Sequence, residues 1–201
     1  MDSYILKILF IVVVLLIVYS IMVKCLMYYR KPRIAVCMWY DDAIKEYGHL
    51  TEKINRRYCL RNQYDFIFSN TRHLNNRHPA WEKIKLLYDS LRHKHHDYII
   101  WIDADAIFNP ESTRTLESII EKHRDKDILF SGDAPNYIHQ IQNSGFWIVK
   151  NTYYSALFLE YVIYSNDINQ CRSHFKKPLW EQTCINHLYK INLMNIHVIR
   201  C

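Results

Sequence analysis

The sequence predicts an α/β domain with a mostly parallel sheet, preceded by one transmembrane helix. Two observations carry this prediction. Strand-like and helix-like apolar patterns alternate along the chain after residue 33, as in layered α/β folds. One uncharged apolar run dominates the first thirty residues. We therefore expect residues 1–30 to hold a short tail and a membrane anchor, and residues 31–201 to form one globular domain.

The anchor is predicted from the run ILFIVVVLLIVYSIMV, which lies between Lys7 and Lys24. Because lysine stems reach the bilayer interface, the span extends from about residue 4 to about residue 27, enough to cross a membrane. No small-x-small cleavage site follows the run, and a buried core helix would show a polar stripe that is missing here. The sequence therefore predicts an uncleaved signal anchor, with the lipid bilayer as a partner.

The net charge of +6 is concentrated beside the anchor. The first 33 residues of the chain contain one acid, Asp2, and five basic residues: Lys7, Lys24, Arg30, Lys31 and Arg33. This placement suits anionic lipid headgroups, so nucleic acid is not an expected partner. Most of these charges follow the anchor, and the positive-inside rule alone would place the globular domain in the cytosol.

The first half of the domain shows two strand–helix pairs. RIAVCMW, from Arg33, predicts a strand, and Asp41 and Asp42 can cap a helix that runs to about Asn62. YDFIFSN predicts the second strand. HPAWEKIKLLYDSLRHKHH predicts a helix, because Pro79 suits its first turn and apolar residues recur at helical spacing.

The third strand is predicted from DYIIWID, whose continuous apolar run is typical of a strand covered on both faces. Asn109, Pro110 and Glu111 predict another helix start, with a cap, a proline and an acid in the first turn. DILFSGD and GFWIVK predict strands, TYYSALFLEYVIY and PLWEQTCINHLYK helices, and MNIHVI a last strand. Ligands in such folds bind past the carboxyl ends of the strands.

Two aspartates, Asp103 and Asp105, follow the third strand at that end. Side chains at i and i+2 of a strand share a face, so two carboxylates there repel each other and lose hydration. A hard divalent cation such as Mg²⁺ or Mn²⁺ would resolve both problems and could bridge to a nucleotide diphosphate. This interpretation requires that both side chains face a cleft and that neither is neutralised by arginine or lysine.

Two other interpretations of the D-x-D triplet stay open. The carboxylates can be exposed groups that cap the following segment. A phosphatase or phosphotransferase of the haloacid dehalogenase type also uses strand-end D-x-D, but with a Thr or Val soon after and near the start of the domain. Here Ala106 and Ile107 follow, and two strands come first.

Four ordered blocks between about residues 33 and 190 resemble a known family, the fungal α-1,2-galactosyltransferases and α-1,6-mannosyltransferases and the plant xyloglucan xylosyltransferases. The blocks are INRRYCLRNQYDFIFSN, HPAWEKIKLLYDSLRHKHHDYIIWIDADAIFNP, NSGFWIVKNTYYSALFLEYV and WEQTCINHLY. The resemblance implies a Rossmann-like glycosyltransferase A sandwich, a nucleotide diphosphate sugar donor, retention of anomeric configuration and Mn²⁺ as cofactor, with Mg²⁺ as the alternative metal.

The resemblance also assigns donor-binding residues. Asp105 would bind the metal directly, and Asp103 would bind the metal or the donor ribose. Lys83 would approach the diphosphate, unless it is an ordinary surface lysine. Ser144 and Gly145 would line the sugar pocket, where a glycine lets the backbone come close to a ligand, unless they form an ordinary turn before a strand.

Three residues are candidates for catalysis. Asn143 carries an amide suited to sugar hydroxyls. Glu181 and Gln182 begin a predicted helix, and Glu181 would stabilise positive charge on the sugar ring, unless it only satisfies the helix dipole. The family usually supplies a late histidine as a further metal ligand. His197 is the candidate here, and the end of the chain at Cys201 predicts a shortened domain.

The sequence thus predicts a single-pass membrane glycosyltransferase that moves a hexose or pentose to a hydroxyl of a glycan or glycoprotein acceptor. The alternative is a catalytically inactive glycan-binding or scaffold protein of the same fold, in complex with other transferases. The resemblance favours the Golgi lumen, whereas the flanking charges favour the cytosolic side. None of the six cysteines forms a C-x-x-C pair, which disfavours zinc, and Cys37 and Cys184 are expected to pack in the core.

Overall fold

The computed structural model describes residues 3–93, 95–132, 142–164, 180–190 and 196–199, except for the side chains of 3, 25–29 and 196–199. The chain forms two compact units, residues 1–32 and 33–201. The first unit is helix α1 (Ser3–Tyr29). Its 21-residue span Tyr4–Lys24 has a mean hydropathy of 3.0, which is long and apolar enough to cross a membrane.

The second unit is an α/β domain around a six-stranded sheet. Its strands are β1 (Ile34–Trp39), β2 (Asp65–Ser69), β3 (Tyr98–Ile102), β4 (Ile128–Gly132), β5 (Gln142–Lys150) and β6 (Ile196–Ile199). Its helices are α2 (Lys45–Asn62), α3 (Glu82–Arg92), α4 (Leu116–Lys122), α5 (Tyr153–Tyr164) and α6 (Trp180–Lys190). Short 3-10 turns precede α2 and α3, at Asp42–Ile44 and Pro79–Trp81.

The strand order is β2-β1-β3-β5-β4-β6, and every neighbouring pair is parallel except the two that contain β5. The predicted mostly parallel α/β fold is therefore confirmed. In the antiparallel pairing of β3 with β5, Ile102 lies opposite Phe146. Because β5 runs against β3, the first residues of β5 lie beside the carboxyl end of β3, where a ligand is expected.

Alternate residues of β1 belong to two separate cores. Ala35 and Cys37 pack in one cluster with residues of α3, α5 and α6, whereas Val36 and Met38 pack in a second cluster with residues of α2 and α4. Every residue of β1 and β3 is buried. The continuous apolar runs in the sequence thus correspond to strands with helices on both faces, as predicted.

The predicted helix start at 109–111 is wrong. Asn109 Oδ1 accepts a hydrogen bond from the Glu111 amide and closes a single turn. The helix begins at Leu116, where Thr115 Oγ1 accepts from the Ser118 amide. An Asx-type turn and a helix cap use the same local chemistry, and only the second cap lies directly before buried apolar side chains.

Two further details differ from the sequence predictions. β5 begins at Gln142, so residues 143–145 lie within a strand and not in a turn before one. Cys184 is buried as expected, but it is also disulfide-bonded, to a partner that is not among the cysteines whose side chains are described. Cys37 is a free, buried thiol as predicted, and burial raises its pKa to about 12.

Candidate active site

A cleft of about 320 Å³ opens at the carboxyl ends of β1 and β3. Its walls combine aromatic side chains with charged ones. They include Trp39, Asp41, Tyr47, His78, Lys83, Trp101, Asp103 and Asp105. Both aspartates predicted from the D-x-D triplet therefore face a cleft, at the edge of the sheet where the sequence placed them.

Residues 103–108 leave the end of β3 and form a segment that we name the acid loop. The Asp103 amide donates to Gly145 O at 2.9 Å, which ties the start of the loop to β5. The Ala106 amide then donates to Asp103 O at 3.1 Å, which closes a turn. Ala104 is buried and Asp105 is exposed, so the two positions lie on opposite sides of the loop.

The two aspartates have different surroundings. Asp103 Oδ1 accepts from Trp101 Nε1 at 2.6 Å and pairs with Lys83 Nζ at 3.0 Å, while a third of the side chain stays exposed. The structure gives Asp105 no hydrogen bond or ion pair within the described part of the chain. The requirement that neither acid is neutralised by a basic residue therefore holds for Asp105 and fails for Asp103.

Lys83 is buried at the centre of the site and is not a surface lysine. Its ammonium group contacts Asp103 Oδ1, Glu181 Oε1 at 2.9 Å and Ser144 O at 2.9 Å. Burial alone would lower the pKa of Lys83, but attraction to Asp103 and Glu181 and hydrogen bonds to both raise it above its usual value. Lys83 therefore stays charged and holds the two carboxylates together.

Ser144 connects β5 to the start of α6. Its amide donates to Gln182 Oε1 at 3.0 Å, and its hydroxyl lies 2.9 Å from Glu181 Oε1. Glu181 lies in the first turn of α6, yet its carboxylate is directed at Lys83 and Ser144. The other oxygen, Glu181 Oε2, is buried with no hydrogen-bond partner among the described residues, which is an unusual state for a carboxylate.

Gly145 lies against Asp103, with little space between them. A Cβ at this position would lie 2.9 Å from Asn143 Oδ1 and 3.3 Å from Asp103 Oδ2. Asn143 Oδ1 itself accepts from the Gly145 amide at 2.7 Å. The glycine is therefore needed for space, since Asn143 Oδ1 and Asp103 Oδ2 both lie beside it.

The structure thus brings together six of the residues predicted for the site, from the acid loop, α3, β5 and α6. Asn143 contacts this group by accepting a hydrogen bond from the Gly145 amide. Asp105 lines the same cleft as Asp103 and Lys83. His197 lies in β6 opposite Leu129, and its side chain is outside the described residues. Among the described residues no group of three or more His, Cys, Asp or Glu side chains could hold a metal ion.

The donor set fits a hard divalent cation in part. Asp105 offers a carboxylate without a described protein partner, and Asp103 offers Oδ2, which the Lys83 contact leaves available. Oxygen ligands of this kind suit Mg²⁺ or Mn²⁺, which usually retain waters and bind substrate phosphates alongside one or two carboxylates. Two protein carboxylates are thus compatible with such an ion.

Sequence reasoning missed the pair formed by His78 and Trp180 beside the cleft. The two rings stack 3.7 Å apart at an interplanar angle of 4° and connect the turn before α3 to the start of α6. His78 Nδ1 accepts from the Ala80 amide, and burial lowers the pKa of His78. The sequence signal was a histidine directly before Pro79, at the N-cap of the 3-10 turn.

Tyr47, which also lines the cleft, was missed as well. Burial raises its pKa, and Asp105, Asp41 and Asp103 add to the shift in that order. The phenol and the three acids line the same cleft. In the sequence, Tyr47 falls within the helix predicted to run to about Asn62, and its position there does not mark it as a cleft residue.

The model of a galactosyl transferase family, GMA12/MNN10, matches residues 42–142 of the chain. This match spans about half of the chain and includes the acid loop and Lys83. Residues 143–145 and α6 lie beyond it, so their assignment to the site rests on the geometry above. No curated protein sequence matches the chain significantly.

Two solved structures show the same fold. A glycosyltransferase involved in the glycosylation of the major capsid of PBCV-1 is 15% identical, with a TM-score of 0.68 over 85% of this chain and 81% of that one. Mouse xyloside xylosyltransferase 1 in its apo form is 10% identical, with a TM-score of 0.53 over 84% and 86% of the two chains. At these identities the similarity extends to the fold alone.

Proposed function

This chain belongs to the galactosyl transferase family GMA12/MNN10, and on that basis we propose a metal-dependent, retaining reaction for it. The reaction moves a hexose or pentose from a nucleotide diphosphate sugar to a hydroxyl of a glycan or glycoprotein. The observation that carries this proposal is the position of Asp103 and Asp105, which face one cleft at the carboxyl end of β3. This is the edge at which α/β sheets bind ligands.

The cleft suits the two halves of such a donor. Trp39, Tyr47 and Trp101 give its walls broad aromatic surfaces, against which a nucleoside can pack. Asp103 and Asp105 add negative charge to the same lining, and an ion that carries a diphosphate would bind there. A bare diphosphate would be repelled by these acids, so this arrangement supports a role for a cation.

Asp105 and Asp103 Oδ2 are the groups that would hold Mn²⁺ or Mg²⁺. Such an ion acts as a Lewis acid that stabilises the negative charge on a leaving diphosphate. The protein's own contribution is to fix the two carboxylates. Trp101 and Lys83 both bind Asp103 Oδ1, and this restricts the carboxylate to one orientation.

Glu181 and Lys83 form a buried ion pair beside Asp103. Lys83 balances the charges of Asp103 and Glu181, and the Ser144 hydroxyl on β5 contacts Glu181 Oε1. Gln182 Oε1 accepts from the Ser144 amide, which ties the start of α6 to β5. Glu181 Oε2 remains without a described partner. A carboxylate oxygen in that state can stabilise positive charge on a sugar ring as the bond to the diphosphate lengthens.

A donor screen tests the proposal. The full chain in detergent is titrated by calorimetry with UDP- and GDP-sugars, with and without Mn²⁺, and donor hydrolysis is measured in parallel. We expect binding of at least one donor that requires the metal, and turnover that stops on chelation. Failure of every donor to bind in the presence of Mn²⁺ would contradict the proposed reaction.

One observation favours a second candidate, an inactive glycan-binding or scaffold protein of the same fold. The ammonium group of Lys83 pairs with Asp103 Oδ1 and so supplies, in part, the positive charge that a metal ion would otherwise provide. In that case glycans would bind, while Mn²⁺ would have no effect and no donor would be hydrolysed. Chelation-sensitive turnover rules this candidate out.

For the location we propose a single-pass protein with its domain in a Golgi-type lumen. Helix α1 fits one membrane anchor. The disulfide of Cys184 supports the luminal side, because disulfides persist in oxidising compartments and are rare in the cytosol. It opposes the orientation suggested by the flanking charges. Protease treatment of intact vesicles tests this: we expect the domain to be protected, and its digestion would favour the cytosolic orientation.

A further inference from the structure

Helix α2 binds the backbone of the acid loop through two side chains one turn apart. Thr51 Oγ1 donates to Ala104 O at 2.6 Å. Asn55 makes two bonds: its Nδ2 donates to Ala106 O at 2.9 Å, and its Oδ1 accepts from the Phe108 amide at 3.0 Å. Residues 104, 106 and 108 are thus all held from one side, by residues at i and i+4 of a helix.

The burial of Asn55 indicates that it supports the acid loop. Asn55 is fully buried in α2, a costly place for an amide unless both its ends are paired. The two partners that pair it are both backbone groups of the acid loop. Asn55 therefore does for the loop what a neighbouring strand would do, after the ladder of β3 has ended at Ile102.

The side chains of the loop follow the same alternation. Ala104 is buried against the second core cluster, and Ala106 and Phe108 pack at its border. Asp105 and Ile107 are exposed on the other side. The small alanines let α2 approach closely enough for its hydroxyl and amide to reach the loop backbone, so the even positions bind the helix while Asp105 faces the cleft.

We propose that Thr51 and Asn55 are positioning residues, which hold the acid loop in the curvature that presents Asp103 and Asp105 to one bound cation. The inference rests on the proposed function, because it explains how that site is kept in shape. Neither residue lines the cleft as described. They act on the ligand only through the loop backbone.

Thr51 offers a matched pair for the test. Thr51→Val keeps the shape of the side chain and removes the hydroxyl, whereas Thr51→Ser keeps the hydroxyl. We expect Thr51→Val to bind Mn²⁺ about fivefold more weakly, the effect of one lost hydrogen bond, and Thr51→Ser to restore most of the affinity. Calorimetry on the full chain in detergent gives the Mn²⁺ affinity, and hydrogen exchange of residues 104–108 gives the order of the loop without any metal.

Ser155→Ala is the stability control. Ser155 is buried in α5, and its hydroxyl contacts Asp127 O and Thr152. These three residues are distant from the acid loop in the sequence, and none of the described bonds of Ser155 involves the loop. We expect this variant to lower Tm and leave Mn²⁺ affinity and loop exchange unchanged. If Thr51→Val left both the loop exchange and the Mn²⁺ affinity unchanged, the positioning role would be overturned, and the proposed function would not be affected. Faster loop exchange in Thr51→Val, with no Mn²⁺ binding even by the wild type, would support the positioning of the loop and overturn the metal-dependent function.

Discussion

Lys83 Nζ lies 2.9 Å from Glu181 Oε1, and both side chains are almost completely buried, although 98 positions separate them in the chain. The same ammonium group contacts the partly exposed Asp103. One cation thus serves two acids at the junction of α3, β3 and α6. Removal of the cation would leave Glu181 as an uncompensated buried charge, which is the costly way to break such a pair.

For this reason we expect Lys83→Met to lower the free energy of unfolding by about 3 kcal/mol or more. Urea denaturation of the full chain in detergent measures the effect. The double variant Lys83→Met/Glu181→Leu is the control, since it removes the stranded acid together with the cation. We expect it to recover part of the loss, and a double variant less stable than Lys83→Met would contradict this account.

Asp105→Asn is expected to abolish Mn²⁺ binding without lowering Tm, because the exposed carboxylate has no described hydrogen bond or ion pair that supports the fold. The matched control is Asp42→Asn, an exposed aspartate whose contact is a surface pair with Lys45 at 3.5 Å. Calorimetry with Mn²⁺ and thermal unfolding are compared for the two variants. Equal Mn²⁺ affinity in Asp105→Asn and the wild type would remove Asp105 from the metal site.

Gly145→Ala is expected to reduce donor turnover at least tenfold, at a cost in stability of about 1–3 kcal/mol. The new methyl group would lie 2.9 Å from Asn143 Oδ1 and 3.3 Å from Asp103 Oδ2, so the Asn143 amide must shift and the Asp103 carboxylate must give way slightly. Turnover and Mn²⁺ affinity are measured beside Gly48→Ala, where the added Cβ would meet the Tyr40 ring at 2.8 Å. If Gly48→Ala lost as much turnover at equal Tm, crowding of Asp103 would not be the cause.

The stability of the chain should fall as the pH drops below about 6.5, the usual pKa of histidine, and part of this fall should depend on His78. Burial lowers the pKa of His78 in the folded state. The unfolded chain therefore takes up the proton first, and the stabilisation present above about pH 6.5 is lost on acidification. Protonation of Nδ1 would also break the hydrogen bond that it accepts from the Ala80 amide.

The check is Tm between about pH 7.5 and 5.5 in the wild type and in His78→Asn. Asparagine can cap the same turn and does not titrate in this range. We expect a smaller drop in Tm for the variant. An equal drop would assign the acid sensitivity to other groups.

The sequence was sufficient to predict what depends on local pattern. The apolar run before Asp103 predicted a strand buried on both faces and the edge where the acids lie, and β3 has both properties. Local chemistry misled at Asn109, because a turn and a helix cap use the same hydrogen bond. Such ambiguities are resolved only by what the following residues pack against.

Long-range pairings could not be predicted from the sequence. A lysine in a helical pattern carries no sign that a glutamate 98 positions later neutralises it, and Lys83 had therefore been weighed as a surface residue. Asn55 likewise lies among polar residues of α2, and only the packed structure shows that it binds residues 106 and 108. In both cases the partner belongs to another element, whose approach depends on the whole fold.

The position of β5 in the middle of the sheet also limits the order in which the strands can pair during folding. In the described sheet β5 is the sole link between β2-β1-β3 and β4-β6, since β3 and β4 do not pair. A nascent chain that ends before residue 142 can form only the β2-β1-β3 sheet, with β3 as an unprotected edge, and β4 has no strand to pair with because β6 has not yet been made. The joining of β4 to this sheet, and with it the meeting of Ser144 and Lys83, must wait until translation has passed residue 150, which makes this step dependent on contacts of high sequence separation.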